Sequence, residues 1–186
     1  MEVVPDSKTI QVDFGRSVPG YEMSFPWNGF NTPAVGHVSG SKLSELSAID
    51  STITSLDLEV TASFDNYDSN TAASNEVYPY EATRDCFKTP DGQTSTLQLQ
   101  NCDPNRTYDF EFYATRGYVG TSTNFEISGT NVILNHKGPA NNGNIDSTVE
   151  ILNISPDSSG NIDINVSGNG SSNVIGFLNV LEITEK

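Results

Sequence analysis

The sequence predicts an all-β fold, an antiparallel β-sandwich or jelly roll, from three observations. Short segments rich in β-branched and aromatic residues alternate apolar with polar side chains, as a strand with one buried face requires. Clusters of Gly, Pro, Asn, Asp and Ser punctuate these segments, among them Pro90-Asp91-Gly92 and Gly129-Thr130-Asn131. Apolar residues make up only 35% of the chain, a mixture that suits short strands joined by polar loops better than helices.

Taken in order, residues 1–7 read as a tail and 8–186 as a single β-sandwich domain, with no internal linker or repeat. Ile10, Val12 and Phe14 alternate with Gln11 and Asp13, which predicts a first strand ending at Gly15. Gly20 to Gly40 is a long loop carrying Tyr21, Phe25, Trp27 and Phe30, and ordered loops of such length usually serve a function. Lys42 to Ile49 reads as one helical turn or an irregular connection, because Leu43, Leu46 and Ile49 recur at three-residue spacing. From Ser55 to Phe64 the residues Leu56, Leu58, Val60, Ala62 and Phe64 share one face, which predicts a strand. Asp65 to Glu76 is polar around Tyr67 and reads as an exposed loop.

The stretch from Tyr78 to Tyr118 is the most informative. YPYEATRDCF (Tyr78 to Phe87) and TYDFEFYATRGY (Thr107 to Tyr118) read as β-rich segments, separated by the turn at Pro90-Asp91-Gly92 and a second one at Asn101-Cys102-Asp103-Pro104-Asn105. In the second segment Tyr108, Phe110 and Phe112 would be buried while Asp109, Glu111 and Tyr113 occupy the other face. Arg116, Gly117 and Tyr118 then fall at the strand end. Asn124 to Ser128 and Val132 to Leu134 predict a hairpin around Gly129-Thr130-Asn131, and Asn135 to Asp146 a loop. Three further strands are predicted over Thr148 to Ile154, Asn161 to Val166 and Gly176 to Thr184, the last apolar on both faces as suits the interior of a sheet.

There are 9 basic against 24 acidic residues, a formal charge of −15. Such a field disfavours nucleic acid and anionic membrane as partners, tolerates neutral ligands and attracts cations. No run approaches the ~20 apolar residues of a transmembrane helix, and the N-terminus lacks the basic and apolar regions of a signal peptide. Cys86 and Cys102 flank the Pro90-Asp91-Gly92 turn and are expected to form a disulfide in an oxidising compartment; the alternative is two buried thiols.

Several stretches together resemble a known group: IQVDFG near the start, Trp27-Asn28, EATRDCF, CDPNRTYDFEFYATR and the closing FLNVLEI. They look like the noncatalytic carbohydrate-binding β-sandwich modules of bacterial secreted polysaccharide-degrading proteins, similar to galactose-binding-like and malectin-like folds. The resemblance implies sugars held on edge loops by aromatic rings and polar side chains, and a structural calcium that ties loops together. It also implies export, with the signal peptide absent from this chain, and a catalytic domain attached in the full-length protein.

A sugar site needs an aromatic face for the C–H side of a pyranose and planar polar groups for its hydroxyls. Trp27, Tyr67, Tyr113 and Tyr118 are candidates for the first, and Asn28, Arg84, Asp85, Arg116 and Asn124 for the second. Trp27 reads equally as a plug over the core, and Arg84 and Asp85, strand neighbours that point to opposite faces, read as each pairing with another strand's charge. Asp13 on the first strand and Glu182 on the last are the candidate calcium ligands should those strands be neighbours; the alternative is two surface carboxylates. No G-x-S-x-G elbow, H-E-x-x-H, P-loop or dinucleotide fingerprint occurs, and His37 and His136 fall in separate loops. The expectation is therefore a module without chemistry of its own that binds a polysaccharide or oligosaccharide. The alternative is a structural or adhesive β-sandwich that binds no sugar.

Overall fold

The computed structural model describes residues 7–15, 23–30, 37–68, 77–115, 122–130, 133–139, 147–169 and 175–186, with the backbone alone for 66–68 and 133–139. The elements are β1 (Lys8–Asp13), β2 (Asn28–Gly29), β3 (Lys42–Leu43), β4 (Asp57–Ala62), β5 (Asp65–Asp68), α1 (Tyr80–Thr83), β6 (Asp85–Lys88) and β7 (Thr94–Gln100). They continue with β8 (Tyr108–Tyr113), β9 (Ser122–Ser128), β10 (Ile133–Pro139), β11 (Val149–Ile154), β12 (Ile162–Gly168), β13 (Phe177–Leu178) and β14 (Val180–Glu185).

Two large sheets form the layers of a β-sandwich. One has the strand order β11-β8-β14-β1-β2, the other β10-β9-β12-β7-β4-β3, and a three-stranded sheet, β13-β6-β5, joins them. Among the described residues all strand pairings are antiparallel except the short contact of β2 with β1. The inward residues are those the alternation selects: Ile10, Val12, Phe110, Phe112 and Ile183 from the first sheet meet Leu58, Leu97, Leu99, Phe125, Ile127 and Ile164 from the second. The Phe112 and Phe125 rings stack at 4.4 Å. Phe87 of β6 packs against Phe14, Phe30 and Phe64, which fixes the small sheet to the core.

The polar outer positions of the six-stranded sheet pair donor with acceptor across the strands. Gln98 donates to Asp163 at 2.9 Å, Thr96 to Asn165 at 2.8 Å, Asn165 to Glu126 at 3.2 Å and Gln100 to Glu59 at 3.0 Å. Complementary neighbours of this kind are what stabilises a sheet face.

Asn179 marks the point where the chain leaves the small sheet for the five-stranded one. Its buried amide donates to the carbonyls of Thr83 at 3.1 Å and Asp85 at 2.6 Å, and its side-chain oxygen accepts from the Thr115 N–H at 2.8 Å. Its main chain bonds Tyr113 and Phe14. One residue thus joins α1, β6, β8 and β1.

Several expectations are corrected. Lys42 to Ile49 forms no helical turn: it holds β3 and isolated bridges at Ser47 and Ala48, since Leu46 is buried and the backbone pairs with Thr52, Thr54 and Leu56. Asp65 to Asp68 is a strand, because β6 offers it an edge. Tyr80 to Thr83 is a helical turn inside the segment read as β. The hairpin strand β10 runs on to Pro139 instead of ending at Leu134, since it follows β9 to Ser122. The disulfide is not formed. Cys86, within β6 of the small sheet, and Cys102, two residues beyond β7 of the six-stranded sheet, are separate buried thiols. Burial chiefly, partly countered by the Tyr108 hydroxyl, pushes the Cys102 thiol up to about 12.

Candidate functional site

The outer face of the five-stranded sheet differs from its counterpart. Residues opposite each other on paired antiparallel strands point to the same side. Gln11 lies opposite Glu182, Glu182 opposite Glu111, and Glu111 opposite Glu150. Three carboxylates on adjacent strands therefore stand side by side in register, where like charges repel. The inward neighbours Ile10, Phe110, Phe112, Ile151, Leu181 and Ile183 are buried, and this fixes the acids outward.

A groove of about 210 Å³ opens over this row, lined by Asp109, Phe110, Glu111, Glu150, Leu152, Glu182 and Thr184. A β-bulge shapes one wall. The β11–β8 register shifts between Ile151 and Ile154, Asn153 takes a φ of 61°, and its N–H donates to Asp109 Oδ1 at 2.7 Å. The shift leaves Leu152 48% exposed at the groove. The other oxygen of Asp109 pairs with the Lys186 ammonium, so Asp109 supports the wall while the three glutamates face the opening.

An aromatic cluster adjoins the row. Tyr78, Tyr113, Val180 and Ala82 are buried together, with Met23 and Trp27 packed against them. Tyr78 lies edge-on to Trp27 at 6.2 Å and to Tyr113 at 5.6 Å. Its hydroxyl donates to Glu111 Oε1 at 3.2 Å. Burial first, then the charges of Glu111 and Glu182 and this hydrogen bond, push the phenol well above its ordinary pKa. Tyr78 therefore stays a donor, and one oxygen of Glu111 is held by it. Two residues along the chain from Trp27 and Tyr78 respectively, Phe25 and Tyr80 are 60% and 41% exposed.

The residues singled out from the sequence divide accordingly. Trp27 and Tyr113 are brought together through Tyr78, with Tyr113 fully buried and Trp27 half-buried. Asn28 has a structural use: its amide donates to the carbonyls of Gln11 at 3.0 Å and Ser47 at 2.8 Å, and its oxygen accepts from the Ser47 N–H at 2.8 Å. Arg84 is buried beside Asp85, 3.8 Å away. Asn124 lies on the other sheet, its amide 3.5 Å from Ser167 Oγ. Tyr67 is placed by backbone only, in β5, and Arg116 and Tyr118 lie outside the described residues.

Asp13 and Glu182 do sit on neighbouring strands, β1 and β14, but diagonally, since Asp13 is opposite Val180. Asp13 is buried, and Glu182 accepts from Gln11 at 3.0 Å. Calcium takes six to eight oxygens, and among the described residues no group of three or more His, Cys, Asp or Glu is arranged to hold a metal ion. Glu111, Glu150, Leu152 and Tyr78 belong to the site but are not singled out by the sequence. The available signal was an acid at the outward position of three apolar strands, in TYDFEFY, TVEILNI and VLEITEK.

No protein-family model and no curated protein matches the chain. Among solved structures, it is similar to the family 61 carbohydrate-binding module TmCBM61 in complex with β-1,4-galactotriose, at 16% identity and a TM-score of 0.39 over 68% of this chain and 86% of that one. It is also similar to the family 32 carbohydrate-binding module of C. perfringens NanJ in complex with galactose, at 13% identity and a TM-score of 0.40 over 69% of this chain and 93% of that one. A third similarity is to the enzymatically active domain of bacteriophage CBA120 tailspike protein 4, at 16% identity and a TM-score of 0.41, over 66% of this chain and 17% of that one.

Proposed function

We propose that this chain is a carbohydrate-binding module that holds a glycan in the groove of the five-stranded sheet and performs no chemistry on it. The carrying observation is the contrast between the two outer faces. On one, Gln98, Thr96, Asn165 and Gln100 each meet an acceptor on a neighbouring strand; on the other, Glu150, Glu111 and Glu182 stand in a repelling row beneath an open groove, next to an aromatic cluster. A row of acceptors suits a ligand rich in hydroxyl donors, and Leu152 offers apolar surface to pyranose C–H groups. In this reading the protein is secreted, and the module directs an attached glycan-active domain to polysaccharide.

A glycan array, followed by affinity electrophoresis in the polysaccharides that score, tests it. Retention by at least one polysaccharide is expected, and lost retention in the Glu111→Gln, Glu182→Gln variant. Retention by none would sink the reading. The burial of Tyr78 and Tyr113 and the structural use of Asn28 favour a second reading, a structural or adhesive module whose aromatic residues are plugs. A neutral quencher separates the two, because a ligand-accessible Trp27 is quenched and then protected by bound glycan, whereas a plug is shielded throughout.

A further inference from the structure

We propose that residues 39–45 form an acid-released strap, latched by Asp57, whose opening uncovers the edge of β4 while the rest of the sandwich stays folded. The strap lies along the outer edge of the six-stranded sheet. Ser39 donates through its N–H to Ser63 Oγ and through its hydroxyl to the Thr61 carbonyl, both at 2.9 Å. The Gly40 N–H meets the Val60 carbonyl and the Ser41 carbonyl accepts from the Val60 N–H, each at 2.8 Å. Next, β3 pairs Lys42 with Glu59 and Leu43 with Leu58. Both ends are anchored: the Phe64 N–H donates to the His37 carbonyl before the strap, and that of buried Leu46 to the Leu56 carbonyl after it. Between the anchors Leu43 is the one apolar side chain, and it is only partly buried. Burial therefore holds the strap far less than it holds β4, where Leu58 and Val60 are fully buried.

What fixes the strap instead is one carboxylate. Asp57 Oδ2 takes the Lys42 ammonium at 2.6 Å and the Asn101 amide at 3.0 Å, and Oδ1 takes the Glu45 N–H at 2.9 Å. Glu45 and Asn101 sit in the left-handed region, at φ of 56° and 61°, which residues other than glycine adopt at a cost. The carboxylate thus holds an edge strand and two strained turns together. The charged groups on the elements around it are Lys42 and Glu45 of the strap and Glu59 of β4, whose carboxylate accepts the Gln100 amide at 3.0 Å; β7 presents the neutral Gln100 and Asn101. Burial works against the Asp57 charge, but Lys42, the Glu45 N–H and the Asn101 amide outweigh it and hold the carboxyl below its ordinary 3.8. Opening returns the group to its ordinary value, so the closed strap keeps this contribution above that value and loses it as pH falls through the lower one. The opened strap leaves the Val60 N–H and carbonyl unpaired, a strand edge onto which another chain can add.

Amide hydrogen exchange on the whole protein, corrected for the intrinsic rate at each pH, tests the inference. Between about pH 5 and about pH 3, protection at Gly40, Glu45 and Val60 should fall by about threefold or more, as one proton taken up on opening requires. Protection at Ile164 of β12, in the middle of the same sheet, should not follow it. In Asp57→Asn the three amides should be less protected than in the parent by about tenfold already at pH ~5, with no further loss in acid. Protection that is unchanged by acid in the parent, or that falls only in step with Ile164, overturns the strap as a separate unit. An acid-dependent loss that persists in Asp57→Asn overturns Asp57 as its latch. Should the variant prove unstable throughout, the comparison of the strap with Ile164 in the parent decides alone.

Discussion

If the glutamate row is held for binding at a cost to the fold, neutralising its ends must stabilise the protein. The Glu150→Gln, Glu182→Gln variant does this with little other disturbance. Glu150 is exposed and Glu182 keeps a partner, because glutamine still accepts the Gln11 amide. Glu111 keeps its hydrogen bond from Tyr78. Two direct cross-strand repulsions are removed, Glu150 with Glu111 and Glu182 with Glu111. Like charges directly opposite each other cost on the order of 0.2–1 kcal/mol per pair, so the variant should gain about 0.4–2 kcal/mol. At roughly 2–4 °C per kcal/mol for a chain of this size, the melting temperature should rise by about 1–8 °C. Thermal and urea unfolding at low ionic strength would measure the gain, and in ~1 M salt, where screening acts within about 3 Å, most of it should vanish. An unchanged or lower stability at low salt would show that the row is not under repulsion, and the contrast between the faces would lose its meaning.

Other perturbations test the frame around the site. Asn179→Ala leaves the Thr83 and Asp85 carbonyls and the Thr115 N–H without their buried partner, and at about 1 kcal/mol or more each it should cost ~3 kcal/mol or more in urea unfolding; a loss under ~1 kcal/mol would contradict the role given to it. Burial works to raise the Asp57 carboxyl, but Lys42 at 2.6 Å, the Glu45 N–H at 2.9 Å and the Asn101 amide at 3.0 Å outweigh it and hold the group below its ordinary value of 3.8. A depressed carboxylate stabilises above its unfolded pKa and loses that contribution as pH falls through the folded one. The stability gap between the parent and Asp57→Asn should therefore be full at neutral pH and close on acidification below 3.8; a gap independent of pH would refute the pairing. Finally, Cys86 and Cys102 should resist alkylation in the folded protein, both react in denaturant, and give an intact mass without the loss of two hydrogens.

The strands were legible wherever alternation was strong. Leu56, Leu58 and Val60, then Phe110 and Phe112, and then Phe125 and Ile127 fell on the core face as their spacing required. Legibility failed where the tertiary partner overrode local composition. The polar Asp65–Asp68 became a strand only because β6 lies beside it, and the aromatic run around Tyr80 turned into a helical turn. The strand β7, TSTLQLQ between two turn signals, was not anticipated, although Ser95, Leu97 and Leu99 alternate inward. The disulfide expectation rests on proximity to a turn, while Cys86 lies in β6 of the small sheet and Cys102 just beyond β7 of the six-stranded one.

The groove illustrates a deeper limit. Each of Glu111, Glu150 and Glu182 is an ordinary outward acid on its own strand, and Glu182 alone was marked, for a different role. What makes them a site is register, set by the burial of Phe110, Phe112, Ile151, Leu181 and Ile183 beneath them and by the β11 bulge held through Asp109 and Asn153. A one-residue slip of β14 would move Glu182 to the core face and the strand's hydrophobic set to the solvent face. The core therefore enforces the alignment of the acids. The burial that stabilises the sheet places like charges together, a cost small against the core that imposes it.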